Sequence, residues 1–173
     1  MELFERFKKV KAFVFDVDGV LTNGEVLVTE EGEQLRSFSI KDGYALQLAI
    51  KKGYPIAIIT GGRSNGVKLR LNGLGIHDVF LSVTDKRAVL YEWLKAQDLT
   101  VDDLLFMGDD IPDLIVMEEA GIASCPSDAV EEIKEVSQYV STCAGGKGAV
   151  RDVIEKVMKL QGQWNRDTSV KSK

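Results

Sequence analysis

The stretch Lys11-Ala-Phe-Val-Phe-Asp-Val-Asp-Gly19 decides the fold class of this chain. Lys11 to Phe15 is a short run rich in aromatic and β-branched residues, broken at once by an acidic loop. It reads as a buried parallel strand that ends in a polar turn. The same signature recurs three times: Pro55 to Ile59 runs into Thr60-Gly-Gly62, Val79 to Ser82 into Thr84-Asp-Lys86, and Leu104 to Met107 into Gly108-Asp-Asp110. A helical pattern follows each run, and helices are expected over 43–52, 65–74, 86–97, 113–120, 129–136 and 149–160. Gly53, Gly75 and Gly121 stand as C-terminal stops. Strands alternating with helices imply right-handed βαβ crossovers and a doubly wound, Rossmann-like α/β parallel sheet.

One region breaks that rhythm. Glu25 to Thr29 and Gln34 to Ile40 are strand-like runs around Gly32, which predicts a β-hairpin flap over about 24–40, beside the first acidic loop. The stretch 161–173 is polar and aperiodic and reads as a mobile tail on a single domain of residues 1–160. With 173 residues, 45% hydrophobic, the chain is long enough to bury a core without disulfides or a structural metal. A net charge of −5 disfavours nucleic acid and anionic membranes as partners, so an anionic ligand needs dedicated cations. Cys125 and Cys143 lack metal or redox spacing, and the first ten residues lack the apolar stretch of a signal peptide or membrane span. A cytoplasmic protein is expected.

In an open parallel sheet the ligand crevice lies beyond the carboxyl ends of the strands. Four strand ends here deliver Asp16 with Asp18, Thr60, Lys86, and Asp109 with Asp110 and Asp113. Carboxylates gathered at one point repel one another unless a hard cation lies among them, and Mg²⁺ meets that need with one or two carboxylates plus phosphate oxygens. In an extended segment Asp16 and Asp18 point the same way, so one can attack while the other handles a proton. Lys86 balances the charge of a phosphoryl group, Thr60 donates a hydrogen bond, and Gly61 and Gly62 let backbone N–H groups approach.

Asp16-Val-Asp-Gly19, Thr60, Lys86 and Gly108-Asp-Asp-Ile-Pro-Asp113, in that order, resemble the four signature motifs of the haloacid dehalogenase (HAD) superfamily. The resemblance implies Asp16 as nucleophile and Asp18 as general acid and base. It implies Thr60, Gly61 and Lys86 as phosphate ligands, and Mg²⁺ held by Asp16, Asp109 and the Asp18 backbone carbonyl. Asp110 and Asp113 would orient the site. Neither usual insertion point has room for a cap domain. From the first motif to Gly145-Gly-Lys-Gly-Ala-Val-Arg151, the chain looks like the capless 3-deoxy-D-manno-octulosonate 8-phosphate (KDO 8-phosphate) phosphatase family. That resemblance implies a phosphomonoesterase of lipopolysaccharide precursor synthesis working through an aspartyl-phosphate. It also implies a homotetramer in which a neighbour's hairpin and C-terminal tail complete the site, with Trp164 covering the adjacent cleft. Arg63 and Lys68 are candidates for the carboxylate of the sugar acid. A sister activity on 2-keto-3-deoxy-D-glycero-D-galacto-nononate 9-phosphate is separated poorly by sequence.

Plainer roles stand beside these. Thr60 could be a helix N-cap, Asp113 a first-turn acid, and Arg63 and Lys68 surface cations. Gly145 to Gly148 lacks P-loop spacing and reads as a tight turn, His77 as a loop residue and Trp93 as core. A phosphorylation-receiver signalling domain also uses acids, Thr and Lys on a parallel sheet, but its acceptor Asp follows a middle strand and its acidic pair the first, the reverse of the order here. A non-catalytic binding subunit is disfavoured by the presence of both Asp16 and Asp18.

Overall fold

The structure, a computed structural model, describes residues 2–171 and 173. A first short helix, α1 (Leu3–Phe7), precedes the central strand β1 (Ala12–Phe15). A small antiparallel hairpin follows, β2 (Leu27–Val28) and β3 (Gln34–Leu35), and then α2 (Ile40–Lys51), β4 (Ile56–Ile59), α3 (Asn65–Gly73) and β5 (Asp78–Phe80). The second half runs through α4 (Lys86–Ala96), β6 (Leu104–Met107), α5 (Leu114–Met117), β7 (Ile122–Cys125), α6 (Glu131–Val136), β8 (Tyr139–Val140) and α7 (Ala149–Leu160). Six strands form one parallel sheet in the order β5-β4-β1-β6-β7-β8. The chain winds outward from β1 to one edge, returns to its other side at β6, and winds out again. The expected α/β doubly wound sheet is present, and among the described residues no cap interrupts it.

Residue alternation on β1 divides the core. Phe13 and Phe15 face α2, α3 and α7, packing with Leu46, Ile58, Leu71, Ile154 and Val157. Ala12 and Val14 face α4 and α5, packing with Leu90, Trp93, Phe106 and Met117. Both faces of the sheet are therefore buried, which explains why its strands read as unbroken apolar runs.

Several boundaries differ from expectation for local reasons. Helix α2 begins at Ile40 rather than 43, because the Ser39 hydroxyl caps it by accepting the Asp42 N–H, and Ile40 therefore leaves the hairpin. The hairpin itself pairs only two residues per strand, Leu27 with Leu35 and Val28 with Gln34. Helix α5 is shorter than 113–120, since Pro112 holds Ile111–Asp113 as a separate 3-10 turn. Helix α6 starts at Glu131 instead of 129. The helix α1 and the strands β7 and β8 were not expected; β7 is interrupted by Ala123 and Ser124, which weakens its apolar signature. Gly53 and Gly75 adopt the left-handed backbone expected of helix stops. Gly121 does not. A β-carbon there would meet the Asp102 carbonyl oxygen at 2.4 Å, so close backbone approach selects that glycine.

The described residues after Leu160 form no regular element, yet they lie across α2 and α3. Tyr44 Oη donates to the Asp167 carbonyl at 3.1 Å, Lys51 pairs with Asp167 at 2.6 Å, and Arg70 donates to the Lys173 carbonyl at 2.6 Å. Trp164 packs edge-on to Tyr44 within its own chain, with the Arg151 guanidinium 5.5 Å from each ring. Within the chain, Trp164 rests on α2 and α7, where the Arg151 guanidinium attracts both aromatic rings.

Candidate active site

The two windings diverge at β1, and the crevice opens at its carboxyl end, between the ends of β4 and β6. Asp16 is the first residue beyond β1, and its N–H donates to the Met107 carbonyl at 3.1 Å, which continues the sheet by one rung. The chain then turns instead of staying extended as the sequence suggested. The Val17 carbonyl accepts from Val20, Leu21 and Thr22, and the Thr22 hydroxyl accepts from Gly19 at 3.2 Å and Gly24 at 3.3 Å. Asp16 and Asp18 nonetheless both line the cleft. Gly19 adopts φ +83°, and a β-carbon on it would lie 1.9 Å from Asp109 Oδ2. The turn of Gly145 to Gly148 backs this loop, with Gly145 so close to the Gly19 carbonyl that a side chain there would overlap it.

Thr60 follows β4 and is buried; its hydroxyl accepts the Gly62 N–H at 3.2 Å. The cap of α3 is Ser64, whose side chain accepts the Val67 N–H at 3.3 Å, so Thr60 is free of the capping role. Lys86 is the first residue of α4, capped by Asp85 through the Ala88 N–H. A cation at the positive end of a helix runs against the helix dipole, and the local carboxylates explain it. Lys86 Nζ donates to Asp113 Oδ1 at 2.6 Å and lies 3.2 Å from Asp16 Oδ1, an ion-pair distance without hydrogen-bond geometry. Asp113 is 1% exposed and also accepts the Asp109 N–H at 3.1 Å. It occupies the N-terminal position of α5 but makes no capping bond, so its carboxylate is spent on Lys86 and the Asp109 backbone.

The electrostatics are those of crowded acids. Burial, with the neighbouring Asp113 charge, pushes the Asp16 carboxyl up to about 6 despite Lys86. Burial and the charges of Asp16, Asp113 and Asp110 push Asp109 up to about 8. Burial alone would lower Lys86, but Asp16 and Asp113 override it and raise its pKa, so it stays charged. Asp16 Oδ1 and Asp109 Oδ1 are buried without a hydrogen-bond partner among the described residues. Carboxylate oxygens of Asp16, Asp109 and Asp113 lie within 4.8 Å of one another. Hard oxygen donors, two of them unpartnered, fit a divalent cation. Both Asp113 oxygens already carry hydrogen bonds, which leaves Asp16 and Asp109 as the carboxylates with capacity to spare.

The cleft, about 360 Å³, gathers Asp16, Asp18, Thr60, Gly61, Lys86, Asp109, Asp110 and Asp113, eight of the ten residues expected at the site. Asp110 caps the 3-10 turn at the rim. Arg63 and Lys68 are exposed and do not line the cleft. Arg36 was missed. It reaches from the hairpin to Asp18, with Nε 2.6 Å from Oδ1 and Nη2 3.2 Å from Oδ2. Only its place in a hairpin beside the acidic loop could have suggested it.

No protein-family model matches the chain. Among curated proteins, the 3-deoxy-D-manno-octulosonate 8-phosphate phosphatase KdsC of Yersinia pestis is 31% identical over 169 residues, covering 98% of this chain and 90% of the relative. The chain belongs to the KDO 8-phosphate phosphatase family. Solved structures agree. A KDO 8-phosphate phosphatase from Moraxella catarrhalis, in complex with magnesium ion, phosphate ion and KDO, superposes with a TM-score of 0.89 at 35% identity, covering 92% of this chain and 91% of that one. A HAD superfamily (subfamily III A) structure from Legionella pneumophila gives a TM-score of 0.91 at 34% identity, with 93% and 88% coverage. As a KDO 8-phosphate phosphatase family member the chain is a HAD-type α/β protein, and its cleft is the place where that family's chemistry is to be sought.

Proposed function

We propose that this chain hydrolyses KDO 8-phosphate to KDO and phosphate. The observation that carries the reading is the convergence of Asp16, Thr60, Lys86 and Asp109 from four strand ends on one cleft, in a member of this family. Asp16 attacks phosphorus, and Asp18 protonates the departing sugar oxygen, leaving an aspartyl-phosphate on Asp16. Asp18 then takes a proton from water, which hydrolyses that acyl phosphate. Thr60, the Gly61 N–H and Lys86 hold the phosphoryl oxygens, and Asp113 keeps Lys86 aimed at them. Asp16, Asp109 and the Asp18 carbonyl would hold a Mg²⁺, which would neutralise charge on the transferring group, while Asp110 and Asp113 orient the site.

The same proposal covers the setting. Residues 1–160 act as one catalytic domain in the cytoplasm, and no described helix is long and apolar enough to cross a membrane. The protein works as a homotetramer, a reading supported by a hairpin that leaves Leu27 68%, Val28 60% and Leu35 48% exposed next to the cleft. A neighbour's hairpin and tail then enclose the sugar, near Arg63 and Lys68.

Phosphate release from the eight-carbon acid phosphate, the nine-carbon analogue and a hexose phosphate, with Mg²⁺ and with EDTA, tests the reading. The highest kcat/KM falls on the eight-carbon acid and vanishes in EDTA. Preference for the nine-carbon acid would move the protein to the sister activity, and metal-independent turnover would refute the site.

A further inference from the structure

Arg36 stands at the end of β3 with its side chain only 6% exposed, an unusual place for a hairpin cation. Its guanidinium clamps both oxygens of Asp18, and the third nitrogen, Nη1, donates to the Gln34 carbonyl of the hairpin at 3.3 Å. The fork backs onto the phosphate loop: a β-carbon at Gly62 would lie 3.1 Å from Asp18 Oδ2 and 3.6 Å from Arg36 Nη2. No other hydrogen bond holds the Asp18 side chain among the described residues. A carboxyl group on a turn has a broad, nearly free terminal torsion, so a lone Asp18 would sample many orientations. A two-point guanidinium contact fixes both the rotamer and the plane, which a single ammonium charge cannot do.

We propose that Arg36 is a positioning residue for the proton-transfer group Asp18, and that the hairpin is thereby a working part of the catalytic machinery. The inference rests on the role given to Asp18 above. A misaligned proton donor costs most where the leaving oxygen most needs a proton, so leaving-group dependence separates positioning from general structural damage.

The test compares wild type, Arg36→Ala, Arg36→Lys and Asp18→Asn on KDO 8-phosphate, phenyl phosphate and p-nitrophenyl phosphate, with thermal melts beside the kinetics. Arg36→Ala should lower kcat on the first two by on the order of tenfold to a hundredfold, and several-fold less on p-nitrophenyl phosphate, whose leaving group departs unprotonated. Arg36→Lys should fall between, and millimolar guanidinium should restore part of the Arg36→Ala loss. Equal losses on all three substrates, or a rise in KM confined to the sugar acid, would overturn the proposal in favour of a structural or substrate-binding role. If Asp18→Asn itself shows no leaving-group dependence, the mechanism has failed rather than Arg36. If Asp18→Asn shows it and Arg36→Ala does not, only the positioning role falls.

Discussion

A methyl group at position 19 would sit 1.9 Å from Asp109 Oδ2 and force a side chain into φ +83°, so Gly19 is required twice over. The backbone there passes so close to Asp109 that the Asp16–Gly19 loop and Asp109 form one packed unit. Gly19→Ala is therefore expected to displace Asp109, lowering kcat by on the order of a hundredfold and weakening Mg²⁺ binding. Steady-state kinetics across a Mg²⁺ titration checks this; a variant with wild-type kcat and wild-type Mg²⁺ dependence would show that the loop yields without disturbing the acid. Asp113 teaches a related lesson. From sequence it was an acid near a helix start, with two roles open, and only the pairing with Lys86 and the Asp109 N–H assigns it to the cleft.

Among the elements, α2 and α7 pack along the same face of the sheet, and a buried carboxylate joins them. Asp42, 1% exposed, accepts the Arg151 N–H of the first turn of α7 at 2.8 Å, while its Oδ2 has no hydrogen-bond partner among the described residues. Burial raises its pKa, the cost of holding that charge inside. Removing the acceptor strands a buried donor, so Asp42→Ala should destabilise the fold by about 1–3 kcal/mol, whereas Asp42→Asn keeps an acceptor for Arg151 and should lose less. Urea melts of both variants decide it, and equal losses would mean that the charge, not the acceptor, matters. At this scale the sequence was most readable where an apolar run met a sharp polar break, as at Phe15 to Asp16 and Met107 to Gly108. It was least readable where the partner is distant. Arg36 lies 18 positions from Asp18, and nothing periodic links a hairpin arginine to a loop acid. Strands of two residues, such as β8, carry too little pattern to stand out.

For the molecule as a whole, the acid cluster ties folding to pH. The unfolded chain releases its carboxyl protons near pH 4, but in the fold Asp16 holds on to about 6 and Asp109 to about 8. Between those values the folded state binds more protons than the unfolded state, so this source of stability, complete below about pH 4, is lost as pH rises toward 8. A divalent cation favours the ionised acids and opposes that loss. The Tm gain on adding Mg²⁺ should thus be larger at pH 8 than at pH 5, measured by thermal melts against an EDTA control. An equal gain at both values would detach the cation from these two carboxylates.

Strand order carries one more consequence, for synthesis. The central strand β1 is made before either of its sheet neighbours, β4 and β6, which end only at Ile59 and Met107. During translation the apolar segment Ala12 to Phe15 therefore leaves the ribosome with one edge unpaired until more than half the chain has followed. Pairings of such long sequence separation form late, and exposed strand edges invite wrong partners. The nascent chain is most exposed to aggregation, and most in need of chaperones, before Met107 clears the exit tunnel.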